Sequence, residues 1–407
     1  YLFARAAELA SQLQGLVGDF QSQKDSLQKE VDDKNKWLQQ MKERLSKADD
    51  VTGSDDDLVQ RLKDVKVIHD ELESQKGNMD NLQGRIKTFD DQYHNPETAS
   101  LVKDMASLLK KYEALLQKAD KVENQLANTV EQHVQEAEED QQRWLQAANE
   151  KVNWCGQVSG DKYSIEAKLA TVQELMSSMD QGDGKTQVAV EKVGLLQSAK
   201  PQSAEVVEGK KTQLKDVWQA YQATLNETKN KLEQVMLQWQ GYDQNYESLS
   251  NWVKEMEGKV RTEVALQPTL DTKQQQLDTF KNLCDEVAKQ EPAMQQVYNQ
   301  ALEISKSTGD NRTANYATQL QGRFQKLKED VTEGRDKAEE WVDTHSAYNE
   351  SYKTFQAWLD EMKNKLTSIS DVSGEKAELQ DKLAAVKELL EQKDEGQAKF
   401  SGVVDQG

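Results

Sequence analysis

Leu27-Gln-Lys-Glu-Val31-Asp-Asp-Lys34-Asn-Lys-Trp37-Leu38-Gln-Gln-Met41-Lys-Glu-Arg-Leu45 is the stretch on which the fold turns. Leu27, Val31, Lys34, Leu38, Met41 and Leu45 alternate by four and three residues. That spacing lays one narrow seam along a helix, as in a coiled coil, and leaves the charged residues on the other faces. The run ends between Ala48 and Asp57, where Gly53 and a string of acids break the helix. A second helical tract starts near Leu58, and a third follows His94-Asn95-Pro96. Asn before Pro disfavours helix at that point, so the boundary has a steric cause.

The pattern recurs. Trp37 is followed by Trp144, Trp252 and Trp358, at separations of 107, 108 and 106 residues. In the second tract Leu62, Leu169, Leu277 and Leu383 keep the same steps. In the third, Tyr112, Trp218 and Phe324 step by 106. Three landmarks with one period indicate a repeat architecture. Lys200-Pro201 marks the second-to-third tract boundary one period on, and Ser307-Thr308-Gly309-Asp310 does so in the third period.

The third tract does not stop where the next period begins. From Glu97 to Cys155 there are 59 residues without Gly or Pro. As one helix they would span about 90 Å. Arg335 to Ser373 is a second stretch free of both breakers. The expected fold is therefore all-α: tandem three-helix coiled-coil bundles, joined by continuous helical linkers into an elongated rod.

Composition agrees with that reading and excludes others. Only 36% of the residues are hydrophobic and 30% are charged, with just 4 Pro in 407 residues, which suits long helices with narrow seams. The 72 acidic against 52 basic residues give a net charge of −20, the wrong sign for neutralising phosphates, so nucleic acid is not an expected partner. No apolar run approaches the 18 or so residues that span a bilayer. The start, Tyr1-Leu2-Phe3-Ala4-Arg5, lacks an initiator Met and a signal design, and reads as a cut from a longer chain. Two cysteines, Cys155 and Cys284, are too few for a disulfide framework and suggest a reducing cytosol. Three glycosylation sequons, at Asn226, Asn311 and Asn349, carry little weight without a secretory signal.

Units of this length, with a Trp in the first helix and an aromatic in the third, resemble spectrin repeats over essentially the whole chain. That resemblance implies the following division: 1–23, the end of a preceding third helix; 24–130, 131–238 and 239–344, full repeats; 345–407, the first two helices of a partial one. Tyr242-Asp-Gln-Asn-Tyr246-Glu-Ser-Leu-Ser-Asn-Trp252 matches Tyr348-Asn-Glu-Ser-Tyr352-Lys-Thr-Phe-Gln-Ala-Trp358 in spacing. This looks more like the divergent rods of nesprin-type nuclear anchors than like spectrin itself. Val217 also stands where spectrin commonly has an Arg before the third-helix Trp. Dystrophin-, plakin- and spectrin-type rods remain alternatives.

Candidate sites reduce to structure. The landmark residues Trp37, Trp144, Trp252, Trp358, Tyr112, Trp218, Phe324, Leu62, Leu169, Leu277 and Leu383 are expected in the cores. Trp144 with Trp218, and Trp252 with Phe324, should meet between first and third helices. Seven residues after each landmark Leu stand His69, Met176, Cys284 and Leu390, read as one further core column. Cys155, at a helix end, is expected to be exposed but has no neighbouring base to activate it. Gly184-Lys185-Thr186 lacks the first glycine of a phosphate loop, and Asp180 to Glu191 lacks the oxygen ligands of a calcium loop. No catalytic residue, cofactor or metal is expected, and the four histidines are scattered. Gly77, Gly184 and Pro292, with Gly396 nearby, are expected to bend the second helices.

The function that follows is mechanical rather than enzymatic: a spacer that transmits tension. By resemblance, the parent is a giant cytoskeletal linker in the cytoplasm, reaching the outer nuclear membrane through other regions. Actin-associated and membrane-anchor partners would bind those regions, outside this segment. A docking scaffold is the alternative function. A monomeric rod is the expected state, with lateral pairing, as in spectrin, left open.

Overall fold

A computed structural model describes residues 1–199, 204–263 and 265–407. Among them there are eleven helices and no strand: α1 (Leu2–Ala48), α2 (Asp55–Ser74), α3 (Lys76–Tyr93), α4 (Pro96–Gly156), α5 (Lys162–Ser177), α6 (Met179–Ala199), α7 (Ala204–Glu263), α8 (Leu270–Thr308), α9 (Asn311–Ile369), α10 (Lys376–Glu391) and α11 (Lys393–Gln406). The Lys200-Pro201 boundary lies outside the described residues.

The helix ends have local causes. Ser54 caps α2: its hydroxyl accepts from Asp57 N–H, and the Asp57 carboxylate accepts in return from Ser54 N–H. This reciprocal pair satisfies two donors that a helix start would otherwise leave open. Pro96 opens α4, where its missing N–H is not needed, and the Asn95 side chain accepts from Glu97 and Thr98 N–H. Gly309 ends α8 in the left-handed conformation at φ 74°, and Asp310 caps α9.

The chain divides into two compact units. The first comprises Tyr1–Cys155 and Ala170–Thr228. Here the second half of α1, the α2–α3 pair and the first half of α4 enclose one core, with Leu38, Leu45, Leu62, Ile68, Leu72, Met79, Leu108 and Tyr112 all buried. Each fully buried Leu contributes about 1.5–3 kcal/mol relative to exposure. Within this unit α4 runs on without a break, so its Gln141, Leu145 and Ala148 serve a second three-helix core with α6 and α7. The second unit comprises Gly156–Leu169 and Lys229–Gly407. Phe280, Leu283 and Val287 of α8 are buried there, as are Leu320, Phe324 and Leu327 of α9.

The bend expected at the glycines and at Pro292 falls elsewhere. The second helix is interrupted by one residue at Gln75, Ser178 and Gln392, while α8 runs unbroken through Pro292. Gln75 and Gln392 keep right-handed backbone angles, so each interruption is a local tightening and needs no glycine. Gly77 and Gly184 face open space.

Candidate functional site

The landmark residues fall into two levels of each bundle. Tyr112, Trp218 and Phe324 are buried, whereas Trp37, Trp144, Trp252 and Trp358 are half-buried. The Trp144 and Trp218 ring centroids lie 5.7 Å apart in an edge-on arrangement, and Trp252 and Phe324 are 6.2 Å apart. Tyr221 completes the first cluster, 5.6 Å from Trp144 and 5.5 Å from Trp218. Among the described residues Trp37 has no aromatic partner of this kind; Lys34 Nζ stands 5.6 Å from its ring centroid.

Of the leucine landmarks, Leu62 and Leu277 are buried, Leu169 is half-buried and Leu383 is 55% exposed. Leu383 departs from the core expectation because, among the described residues, no third helix covers α10 and the end of α9. The column His69, Met176, Cys284 and Leu390 also sits off the seam. His69, Met176 and Cys284 are half-buried and Leu390 is exposed, while the core column runs one residue earlier, through Ile68, Leu175 and Leu283. His69 Nδ1 pairs with Glu123 Oε2 at 2.8 Å, a partner reached from the seam's edge. Burial pushes the Cys284 thiol up. Cys155, expected to be exposed, is fully buried, and its neighbour Trp154 is the exposed residue of the pair.

One repeated polar device escaped the sequence reading. Just before each landmark Leu stands a long donor side chain that reaches back across the first loop. Arg61 Nη1 donates to the Asp50 carbonyl at 2.8 Å and to that of Thr52. Lys168 Nζ donates to Ser159 O at 2.9 Å and to Gln157 O. Gln276 Nε2 donates to Ala265 O at 2.8 Å and to Glu263 O. Lys382 Nζ donates to Asp371 O at 2.8 Å and Ser373 O at 3.0 Å. Apart from that of Glu263, these carbonyls lie in the loop that follows the first helix, and a charged donor bonds them more strongly than a neutral one. In three of these loops a glycine takes positive φ: Gly53 at 122°, Gly160 at 117° and Gly374 at 139°. Pro268 holds the matching place before Gln276. The signal was available as the series Arg61, Lys168, Gln276, Lys382, on the same period as the leucines.

The first loops also bind the tip of a neighbouring bundle. In the first unit, Asp55 takes His133 Nδ1 at 2.7 Å and Lys192 Nζ at 3.2 Å, and Lys66 Nζ donates to Ser198 O at 2.9 Å. Burial pushes the Asp55 carboxyl up, but its bonds to His133 and Lys192 outweigh this and leave it below the ordinary range. In the second unit, Gly160 N–H donates to Thr308 O at 2.9 Å, Arg312 bridges Asp161 and Asp310 at 3.0 Å each, and Lys162 meets Asp243 at 2.7 Å. The Ser164 backbone N–H, then Arg312, hold the Asp161 carboxyl at about 2.

That depression fixes a pH dependence. A carboxylate whose folded pKa lies below its ordinary value of about 3.9 stabilises the fold above that value. The contribution disappears as pH falls toward 2. Asp161→Asn should therefore flatten the decline of melting temperature between about pH 4 and 2 relative to the parent chain. Parallel acid profiles for the two proteins would show that the Asp161 contacts add no stability.

Among the described residues, no group of three or more His, Cys, Asp or Glu could hold a metal ion, and no helix is long and apolar enough to cross a membrane. Gly184-Lys185-Thr186 is helical: Lys185 pairs with Asp140, and Thr186 is buried, accepting from Gln141 Nε2 at 2.8 Å.

Comparison with known proteins matches residues 22–128 to the Spectrin repeat family model, the segment that builds the first bundle. That segment matches a spectrin repeat. The chain is 24% identical over 364 residues to muscle-specific protein 300 kDa of Drosophila melanogaster, covering 89% of this chain and 3% of that protein. It is 21% identical over 378 residues to mouse Nesprin-2, covering 92% of this chain and 5% of that protein. It is 24% identical over 249 residues to mouse microtubule-actin cross-linking factor 1, covering 59% and 3%. The chain thus spans only a small part of each of these relatives.

Proposed function

We propose that this spectrin-repeat chain is a non-enzymatic spacer that bears tension within a giant cytoskeletal linker. The observation that carries the reading is the length of α4, α7 and α9, at 61, 60 and 59 residues. Each is about twice as long as one arm of a three-helix bundle needs to be. Helices that pass from one bundle to the next resist bending at the joint, which a string of separately folded domains would not do. The proposed units are 24–130, 131–238 and 239–344, with 1–23 and 345–407 belonging to adjoining ones.

The parent protein would join the actin cytoskeleton to the nuclear envelope or another membrane anchor, through regions other than this one. Similarity to Nesprin-2 and to a microtubule-actin cross-linking factor supports this placement in the cytoplasm. Small-angle scattering combined with light-scattering mass tests the spacer reading. The expected result is a monomer with a maximum dimension on the order of 170 Å, taking each unit as a thirty-residue helix plus linker. A compact particle would overturn it. Twice the mass at the same length would instead establish lateral pairing.

A further inference from the structure

We infer that the proposed unit 239–344 is the first of the three complete bundles to open, and that it opens from α8. Two independent features place the weakness there. The first is the loop donor. At this position the other units have Arg61, Lys168 and Lys382, but this one has Gln276, which is only 3% exposed. Its Nε2 serves the Ala265 and Glu263 carbonyls, while its Oε1 is buried without any donor. A neutral amide makes weaker bonds to these carbonyls than a cation does, and an ammonium has no acceptor oxygen to strand. The stranded oxygen loses its water on folding and gains nothing in exchange.

The second feature is Pro292, inside α8. It has no N–H to give the Ala288 carbonyl, so the helical ladder lacks a rung midway along. Beside it lies a groove of about 560 Å³ between α7 and α8, lined by Gln238, Gln295, Gln296 and Asn299. Gln238 also buries its Oε1 there without a donor. Opening of α8 here would hydrate the Gln238 oxygen, and opening that spreads back to the start of the helix would hydrate that of Gln276 as well. The described residues of unit 24–130 hold no such buried side-chain atom; unit 131–238 has the Tyr221 hydroxyl, while Gln238, at that unit's last position on the continuous helix α7, lines the groove beside Pro292 of α8. Neither of those units has a proline inside its second helix.

The order of opening does not depend on what the parent protein is anchored to. Only its use, as the place where length is released under tension, rests on the function proposed above. Native-state hydrogen exchange on the full chain, read peptide by peptide with rising denaturant, tests it directly. The expected result is that α8 amides across 276–300 open at least about tenfold more readily than those of α3 or α6. Gln276→Lys, which copies Lys168, should raise α8 protection about tenfold, as the gain of one charged hydrogen bond implies. Pro292→Ala should raise it independently, so failure of one variant to fold leaves the other as the test. Earlier opening of α2–α3 or α5–α6 would overturn the inference. So would α8 protection unmoved by both substitutions.

Discussion

Gly182→Ala lowers the stability of the chain by about 1–3 kcal/mol, the cost of overpacking a filled core. A Cβ at this position would stand 2.5 Å from Trp144 Cη2 and 2.6 Å from Trp218 Cη2, well inside contact distance. Both rings are held in place. Trp144 Nε1 donates to Gln181 Oε1 at 3.2 Å and Trp218 Nε1 to Asp183 Oδ1 at 3.0 Å, so the residues on either side of the glycine hold the two indoles. Two residues further on, a methyl group at Gly184 would meet nothing within 4 Å, and the position faces solvent. There the same substitution removes only the conformational freedom of a helical glycine, and Gly184→Ala stabilises by about 0.5–1 kcal/mol. Urea unfolding followed by circular dichroism measures both. Equal signs for the pair would show that the tryptophans do not determine the residue at 182.

Leu62→Ala costs about 2–5 kcal/mol, because Leu62 is fully buried in the first core and truncation leaves a cavity among side chains that cannot close on it. Leu383 holds the same place in the period and is 55% exposed, so Leu383→Ala changes stability by no more than about 0.5 kcal/mol. Thermal unfolding of the two variants separates position in the repeat from actual burial. A large loss at Leu383 would mean that a second molecule or another segment covers α10 in solution.

The helices and their period were legible because the seam residues repeat in both short and long register. Leu27, Val31, Leu38, Met41 and Leu45 are all buried, and Lys34 lies half-buried, its ammonium 2.6 Å from Gln75 Oε1. Polar partnerships were less legible, since they depend on which carbonyls the loops turn inward. The donor series from Arg61 to Lys382 is regular in sequence, yet charge alone suggests a solvated face. The part played by Gly396 was hidden for a related reason. Gly182 and Gly396 share one register position, and a Cβ at Gly396 would collide with the Trp358 ring. Both make room for an indole, which cannot be inferred from their tendency to break helices. Cys155 was misplaced because a helix end was equated with exposure, although its side chain still faces inward.

The unbroken passage of α4 from the first core to the second is also a constraint on numbering. A helix turns about 100° per residue. Adding or removing one residue between Leu126 and Val134 would rotate every later side chain of α4 by that angle about its axis. Gln141 and Leu145 would swing out of the second core while Leu108 and Tyr112 kept their places in the first. Along this stretch the chain therefore counts residues, and natural length changes should collect in the turns, where they alter no phase.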